Sequence, residues 1–215
     1  MIQAIIVTGT DTDAGKTVFS AALTAALDGC YWKPIQCGLD GETDSQIVQR
    51  LSGLGPERIL PETYLLKTAS SPHFAAEREG VEIDPAQLVV PNVSRPLVIE
   101  GAGGVAVPIR RDLLQIDVFG RWKLPVILCA STRLGTINHS LLSIEALKRR
   151  AIPILGLAFM GDANPDSEAT ICAMGGVKRL GRLPRLDPLN VRSLGAAFAE
   201  NFKLSDVLGL GGGGP

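Results

Sequence analysis

A chain of 215 residues with 46% hydrophobic composition can bury one substantial core, and no Ser/Gly/Pro-rich linker divides it internally. A formal net charge of -1, with no large basic block, argues against nucleic acid as the main partner; Lys178, Arg179, Arg182 and Arg185 read as a solvated face. No run reaches the ~18 uninterrupted apolar residues of a membrane span, and the first residues begin a strand rather than a cleavable signal, so the expected location is the cytoplasm.

The apolar run Ala4 to Thr8 predicts a strand, and the helical pattern from Lys16 to Leu27 predicts the helix that follows it. Between them lies Gly9-Thr10-Asp11-Thr12-Asp13-Ala14-Gly15-Lys16-Thr17, a phosphate-binding loop in its proper strand-to-helix setting. Five residues separate the two glycines, so the strict four-spacer pattern finds Thr10 where its first glycine belongs, and the loop is a variant. Backbone N–H groups from Asp11 through Val18 can cradle a polyphosphate. Lys16 would reach the outer phosphates, and the Thr17 hydroxyl would face Mg²⁺. The expected ligand is a nucleoside triphosphate. Asp11 and Asp13 are unusual here, because carboxylates beside phosphates repel unless a cation or amine lies nearby. Two roles stay open for them: steering an amine-bearing co-substrate, or orienting the loop.

Further along, strands are predicted over Tyr31 to Ile35, Leu97 to Glu100, Val126 to Ala130, Ile154 to Met160 and Arg179 to Leu183. Helices are predicted over Thr43 to Leu51, Pro85 to Val89, Asn138 to Arg149 and Asp166 to Met174, with Lys148, Arg149 and Arg150 at a helix C-terminal end. Continuous apolar strands alternating with helices indicate an α/β chain, a P-loop NTPase-like single domain over residues 1–208, with a mainly parallel sheet covered on both faces. The ending Gly209 to Pro215 reads as a flexible tail.

Cys30, Cys37, Cys129 and Cys172 lack the short paired spacings of a zinc or redox site, and Cys129 and Cys172 read as reduced, buried side chains. His73 and His139 are the only histidines, which excludes a histidine-rich metal site. In a parallel sheet, ligands gather at the carboxyl ends of the strands, and candidate residues cluster there. Glu100 ends a strand and precedes Gly101-Ala102-Gly103-Gly104, where a carboxylate beside glycines can ligate Mg²⁺. Lys33 is either a site residue or a strand-end lysine snorkelling to solvent. Asp44, taken alone, reads as a helix N-terminal acid rather than a metal ligand.

Taken together, these segments resemble the dethiobiotin synthetase family through nearly the whole chain. Gly9 to Thr17 is similar to the family loop Gly-Thr-Asp-Thr-x-x-Gly-Lys-Thr, including its five-residue spacing. Tyr31 to Gly38 resembles the family's Lys-Pro segment, Ser71-Pro72-His73 its Ser-Pro-His turn, Glu100 to Gly104 its Glu-Gly-Ala-Gly-Gly stretch and Leu134 to His139 its Leu-Gly-x-Ile-Asn-His element.

The resemblance implies an ATP-dependent ligase that closes a cyclic urea on 7,8-diaminopelargonate with CO₂ or bicarbonate. It assigns Lys16, Lys33 and Thr12 to catalysis and carbamate binding, and Thr17, Asp44 and Glu100 to Mg²⁺. It places Cys37 in the substrate site, where the family often has Ser or Thr, and puts the nucleobase near Gly161, Leu183 and Pro184. Met160 stands where family members often have a base-reading Asn, so base selectivity is either broad or rests on backbone near Gly181 to Pro184. The resemblance also implies a homodimer. The substrate carboxylate would then be held by Gly135, Thr136, Ile137 and Asn138 of a neighbouring subunit, at a helix start whose N–H groups favour an anion. His139 is expected to fix that turn, and Ser71 to His73 to shape the substrate channel.

Two rivals share the loop type. Amidoligases that activate a cobyrinate carboxylate normally carry a glutamine-hydrolysing domain, for which this chain has no room. A dimeric switch ATPase of the partitioning type usually has an additional lysine early in the loop, and positions 10 to 14 contain none.

Overall fold

In chain order the elements are β1 (Ala4–Gly9), α1 (Lys16–Ala26), β2 (Cys30–Trp32), β3 (Ile35–Cys37), α2 (Asp44–Ser52), β4 (Ile59–Leu60), β5 (Tyr64–Leu66), α3 (Pro72–Glu79), β6 (Leu97–Gly104), β7 (Pro108–Arg110), β8 (Leu113–Leu114), α4 (Gln115–Trp122), β9 (Val126–Ser131), α5 (Thr136–Arg149), β10 (Ile154–Met160), α6 (Pro165–Gly175), β11 (Arg179–Leu183), α7 (Val191–Asn201) and α8 (Leu204–Val207). This computed structural model describes residues 3–208, and the tail expected at 209–215 lies outside them.

The seven-stranded sheet runs β11-β10-β9-β1-β6-β2-β4, and its neighbouring strands all pair in parallel. Alternation along β1 feeds two cores. Ile5 and Val7 join Phe19 and Leu23 of α1, Val48 and Leu51 of α2 and Phe198 of α7. Ala4 and Ile6 join Phe119 of α4, Ile144 and Leu147 of α5 and Ile171 of α6 on the opposite face. Burial on both faces is why the strands read as unbroken apolar runs. From β1 the chain crosses first toward β2 and later toward β9, so β1 marks the switch point, where an open parallel sheet forms its ligand crevice. The phosphate loop leaves from this strand.

The strand predicted over Tyr31 to Ile35 is broken in two. β2 stays in the main sheet, whereas β3 pairs with β5 in a separate two-stranded sheet. Pro34 between them has no N–H to continue a ladder, so the chain turns away there. Pro85 to Val89 is a turn and irregular backbone, not a helix. Asp84 organises it by accepting the Ala86 N–H on its side chain at 2.9 Å and the Gln87 N–H on its carbonyl at 3.0 Å. The helix predicted from Asn138 starts at Thr136, behind Gly135 at φ 96°. Cys129 is buried as expected, but Cys172 is only half-buried.

Four helices outside the predicted set complete the layers. α3 follows Ser71 with Pro72 in its first turn, and α7 is capped by Asn190, whose side chain accepts the Ser193 N–H at 3.0 Å. α4 and α8 are short. α7 is anchored through aromatic contact: Phe19 lies 6.1 Å from Phe198 and 5.4 Å from Phe202, whose own rings stack at 4.9 Å. Phe19→Ala should therefore cost about 3–5 kcal/mol in equilibrium denaturation, whereas Met174→Ala, at an exposed position, should stay within about 0.5 kcal/mol.

Candidate active site

The loop after β1 reaches α1 through Gly15, whose φ of 80° belongs to the left-handed region. A Cβ there would also sit 2.9 Å from the Met160 side chain. No side chain caps α1 and no acid lies in its first turn, so the free N–H groups at its start are left for an anion. Ala14 and Lys16 are buried and Thr17 and Val18 half-buried, whereas Asp11, Thr12 and Asp13 are exposed. The Asp11 carboxylate accepts the Thr12 N–H at 2.7 Å, a contact that shapes the loop. Lys16 Nζ donates to the carbonyls of Asp11 and Thr12, both at 2.9 Å, so it curls over the cradle it is expected to serve. Burial, followed by repulsion from Lys33, lowers the Lys16 pKa below the usual lysine value.

Thr17, Lys33, Asp44 and Glu100 come from four separate segments and meet in one cluster. Thr17 Oγ1 lies 2.8 Å from Asp44 Oδ1 and 3.0 Å from Glu100 Oε1. Lys33 Nζ lies 2.6 Å from Asp44 Oδ2 and 3.2 Å from Glu100 Oε1. Glu100 is fully buried and also accepts the Tyr31 hydroxyl at 3.0 Å. Burial works against the Lys33 ammonium, but the Glu100 and Asp44 carboxylates outweigh it and hold the pKa above the usual lysine value. Asp44 is likewise penalised by burial, yet Lys33 and the Thr17 hydroxyl keep its carboxyl below the ordinary range. Tyr31 is pushed well upward, first by burial and then by Glu100.

Among the described residues no group of three or more His, Cys, Asp and Glu side chains could hold a metal. The Thr17, Asp44 and Glu100 oxygens nevertheless suit a hard cation that also takes phosphate oxygens and water. A threonine hydroxyl carries one proton, so it can donate to only one of its two carboxylate neighbours at a time. The other short oxygen–oxygen contact has no proton to bridge it, and a divalent cation coordinated by those oxygens would make it favourable.

Two neighbours hold this cluster in place, and neither is evident from spacing. Gln36 accepts the Asp44 N–H at 3.2 Å and donates to the Cys37 and Gly38 carbonyls, joining the Lys33 segment to the start of α2. Gln115 accepts the Ala102 N–H at 2.6 Å and donates to the Ala102 and Gly104 carbonyls. A Cβ on Gly101 would meet Gln115 and Phe119 at 2.9 Å, so the glycine permits that close approach. Tyr31 belongs with these residues: its strand-forming character hides the hydroxyl that reaches Glu100.

Three openings surround the loop. A cleft of about 440 Å³ is lined by Thr12, Lys33, Gln36, Cys37, Asp44, Ser70, Ser71, Pro72 and Gly103. A second, of about 430 Å³, lies between Asp11, Thr12, Val105, Val107, His139 and Leu142, so Thr12 stands where the two adjoin. On the other side a pocket of about 450 Å³ is bounded by Asp13, Gly15, Val18, Met160, Gly161, Leu183, Pro184 and Leu189.

The strand-end backbone of that third pocket is largely engaged. Thr132 N–H donates to the Met160 carbonyl at 3.1 Å, Gly161 N–H to the Leu183 carbonyl at 2.9 Å, and Arg182 to the Gly161 carbonyl at 2.8 Å. Pro184 has no N–H to offer. Of the basic residues expected to form a solvated face, Arg185 lines this pocket, while Arg179 pairs with Glu168 at 2.7 Å and Lys178 with Asp206 at 2.7 Å, both staying about half exposed.

The start of α5 differs from expectation. Gly135 and Asn138 are exposed and Ile137 is half-buried, but Thr136 is buried, with its N–H already donated to the Arg133 carbonyl at 3.1 Å. Thr136 is therefore not an open anion donor, and the free helix-start N–H groups fall on Ile137 and Asn138. None of these four residues lines the cleft at Lys33 in a single chain. The exposed His139 lines the second cleft instead of bracing the turn. Ser71 Oγ lies 3.1 Å from His73 Nδ1.

Burial raises the Cys37 thiol pKa to about 11, more than the neighbouring Lys33 lowers it. The reactive thiolate is thus scarce at neutral pH. Iodoacetamide at pH 8 should modify Cys37 far more slowly than an exposed thiol, with the rate climbing as pH approaches about 11, measured by peptide mass.

A family model described as an AAA domain matches residues 3–193. The ATP-dependent dethiobiotin synthetase of Rhodopseudomonas palustris (strain TIE-1) is 61% identical over 209 residues, which cover 97% of this chain and 99% of the relative. That of Nitrobacter hamburgensis is 59% identical over 208 residues, covering 97% and 98%. Among solved structures, a ParA family ATPase from Chlorobium tepidum TLS matches with a TM-score of 0.59 at 11% identity, over 93% of this chain and 92% of that one. An identity that low speaks for the parallel-sheet P-loop fold alone. Sequence identity near 60% across almost the whole length is decisive, and the chain belongs to the family of ATP-dependent dethiobiotin synthetases, ligases of biotin biosynthesis.

Proposed function

We propose that this chain joins CO₂ to 7,8-diaminopelargonate and closes the cyclic urea of dethiobiotin at the expense of ATP. The observation that carries this reading is the cleft holding Thr12, Lys33 and Cys37, which opens beside the phosphate loop and thus sets an acceptor next to the outer phosphate. One amine adds to CO₂, forming a C–N bond and losing a proton, to give a carbamate. A carbamate oxygen then attacks the γ-phosphorus as the bond to ADP breaks. The second amine attacks the resulting carbonyl carbon, loses a proton and expels phosphate.

The chain's own residues have electrostatic and positioning tasks in this sequence. Lys16 and the α1 N–H groups hold the transferring phosphoryl group, while Thr12 donates to the carbamate and Lys33 balances its charge. Thr17, Asp44 and Glu100 would hold Mg²⁺, which when bound supplies positive charge to the phosphate oxygens. The base would enter the pocket of Val18, Met160, Gly161, Leu183 and Pro184, where a methionine side chain and engaged strand-end backbone favour weak discrimination among bases, although polar side chains such as Asn164 and Arg185 also line it. We place the substrate carboxylate tail against Gly135, Ile137 and Asn138 of a second copy of this chain, with exposed Leu134 and Leu142 beside them suited to a subunit contact. Four free cysteines suit a reducing, cytoplasmic setting.

Purified protein with Mg²⁺, bicarbonate and the diamine should release phosphate in proportion to dethiobiotin detected by mass, with ATP, CTP and GTP ranked side by side. Phosphate release indifferent to the diamine would instead favour a nucleotide switch. Lys16→Ala and Lys33→Ala should each lower turnover by about 100-fold or more, and only Lys16→Ala should greatly weaken nucleotide binding, measured by calorimetry. Equal loss of nucleotide affinity in both would overturn this division of roles.

A further inference from the structure

Lys33 is 3% exposed, and its ammonium has three N–H donors facing three acceptors: Asp44 Oδ2 at 2.6 Å, Glu100 Oε1 at 3.2 Å and the Gly101 carbonyl at 3.2 Å. None is left for the adjoining cleft. Two of the acceptors belong to the carboxylates that Thr17 also approaches, and Glu100 Oε1 is shared between Thr17 and Lys33. A residue that must meet an anionic substrate is thus wholly committed to the oxygens expected to bind a cation.

We propose that Lys33 is a place-holding cation: it neutralises the buried Glu100 and the half-buried Asp44 beside it until a divalent cation takes those oxygens, and only then is its ammonium free to face the cleft. This rests on the metal set and substrate cleft given above. A fully buried Glu100 with Asp44 close to the same ammonium requires compensating charge, which either cation can provide. A divalent ion and an ammonium sharing Glu100 would repel each other strongly in so sheltered a place. The two cations therefore compete. Arrival of the cation readies Lys33 for the substrate, and binding at the two sites is coupled reciprocally.

The competition is measured by Mn²⁺ binding to the full chain, followed by the electron paramagnetic resonance of free Mn²⁺ without nucleotide or substrate. Lys33→Met removes the charge and its hydrogen bonds, whereas Lys33→Gln keeps a donor and loses only the charge. Both variants should bind Mn²⁺ at least about 10-fold more tightly than the parent chain, and Glu100→Gln should abolish that binding. Circular dichroism with Mn²⁺ present identifies the folded variants, and Lys33→Gln serves if Lys33→Met does not fold. Unchanged or weaker Mn²⁺ affinity in folded Lys33→Gln, alongside binding that depends on Glu100, overturns the place-holder role and leaves the metal assignment standing. If the parent chain with a non-hydrolysable ATP analogue shows no Mn²⁺ binding dependent on Glu100, the metal assignment falls and the place-holder role falls with it.

Discussion

The buried carboxylate of Glu100 is the constraint on which the site depends. A charge with no exposure to water is tolerable only when other groups replace its hydration. Here they come from Tyr31 on β2, Lys33 just beyond it and Thr17 in the first turn of α1. Satisfying this one side chain holds the phosphate loop, the Lys-Pro turn and the middle of β6 in mutual position. Asp44 extends the arrangement to α2, because the same lysine and threonine reach it. Gln36 secures that addition from the backbone side.

Around this cluster the loop divides the space into compartments with different chemistry. The pocket against Met160, Leu183 and Leu189 mixes these apolar side chains with polar ones such as Thr132, Asn164 and Arg185, and the ends of β9, β10 and β11 build its floor with backbone polar groups largely paired. The cleft toward Lys33 and Cys37 combines a cation, a thiol and the Ser71 turn. Thr12 borders a third opening that contains His139 and Leu142. Parallel strand order explains the common origin of the three, since the loops after β1, β6, β9 and β10 all emerge from one edge of the sheet.

Legibility followed the strength of local signals. Strands buried on both faces stand out as continuous apolar runs, and the phosphate loop is a local motif with its ligand groups in one segment. α7 carries a weaker signal, an Asn190 cap followed by Leu194, Ala197 and Phe198 on one face. The break at Pro34 was written in the residue itself, but an apolar run surrounding it looked like one strand. Pro85 to Val89 erred the other way: apolar content over five residues cannot nucleate a helix when Asp84 and Pro85 favour a turn.

Sequence alone determined the P-loop, the parallel α/β class, the family resemblance and the candidate identities of Lys16, Lys33, Asp44 and Glu100, because short motifs and apolar periodicity are local properties of a chain. Tertiary structure alone decided which groups touch. It brought Tyr31, Gln36 and Gln115 into supporting roles, withdrew Thr136 from the solvent, placed His139 on an open cleft and set the Lys33 ammonium between two carboxylates. The physical reason is that hydrogen bonds and charge compensation act over about 3 Å between residues far apart in sequence, and only the packed sheet and helices create those distances.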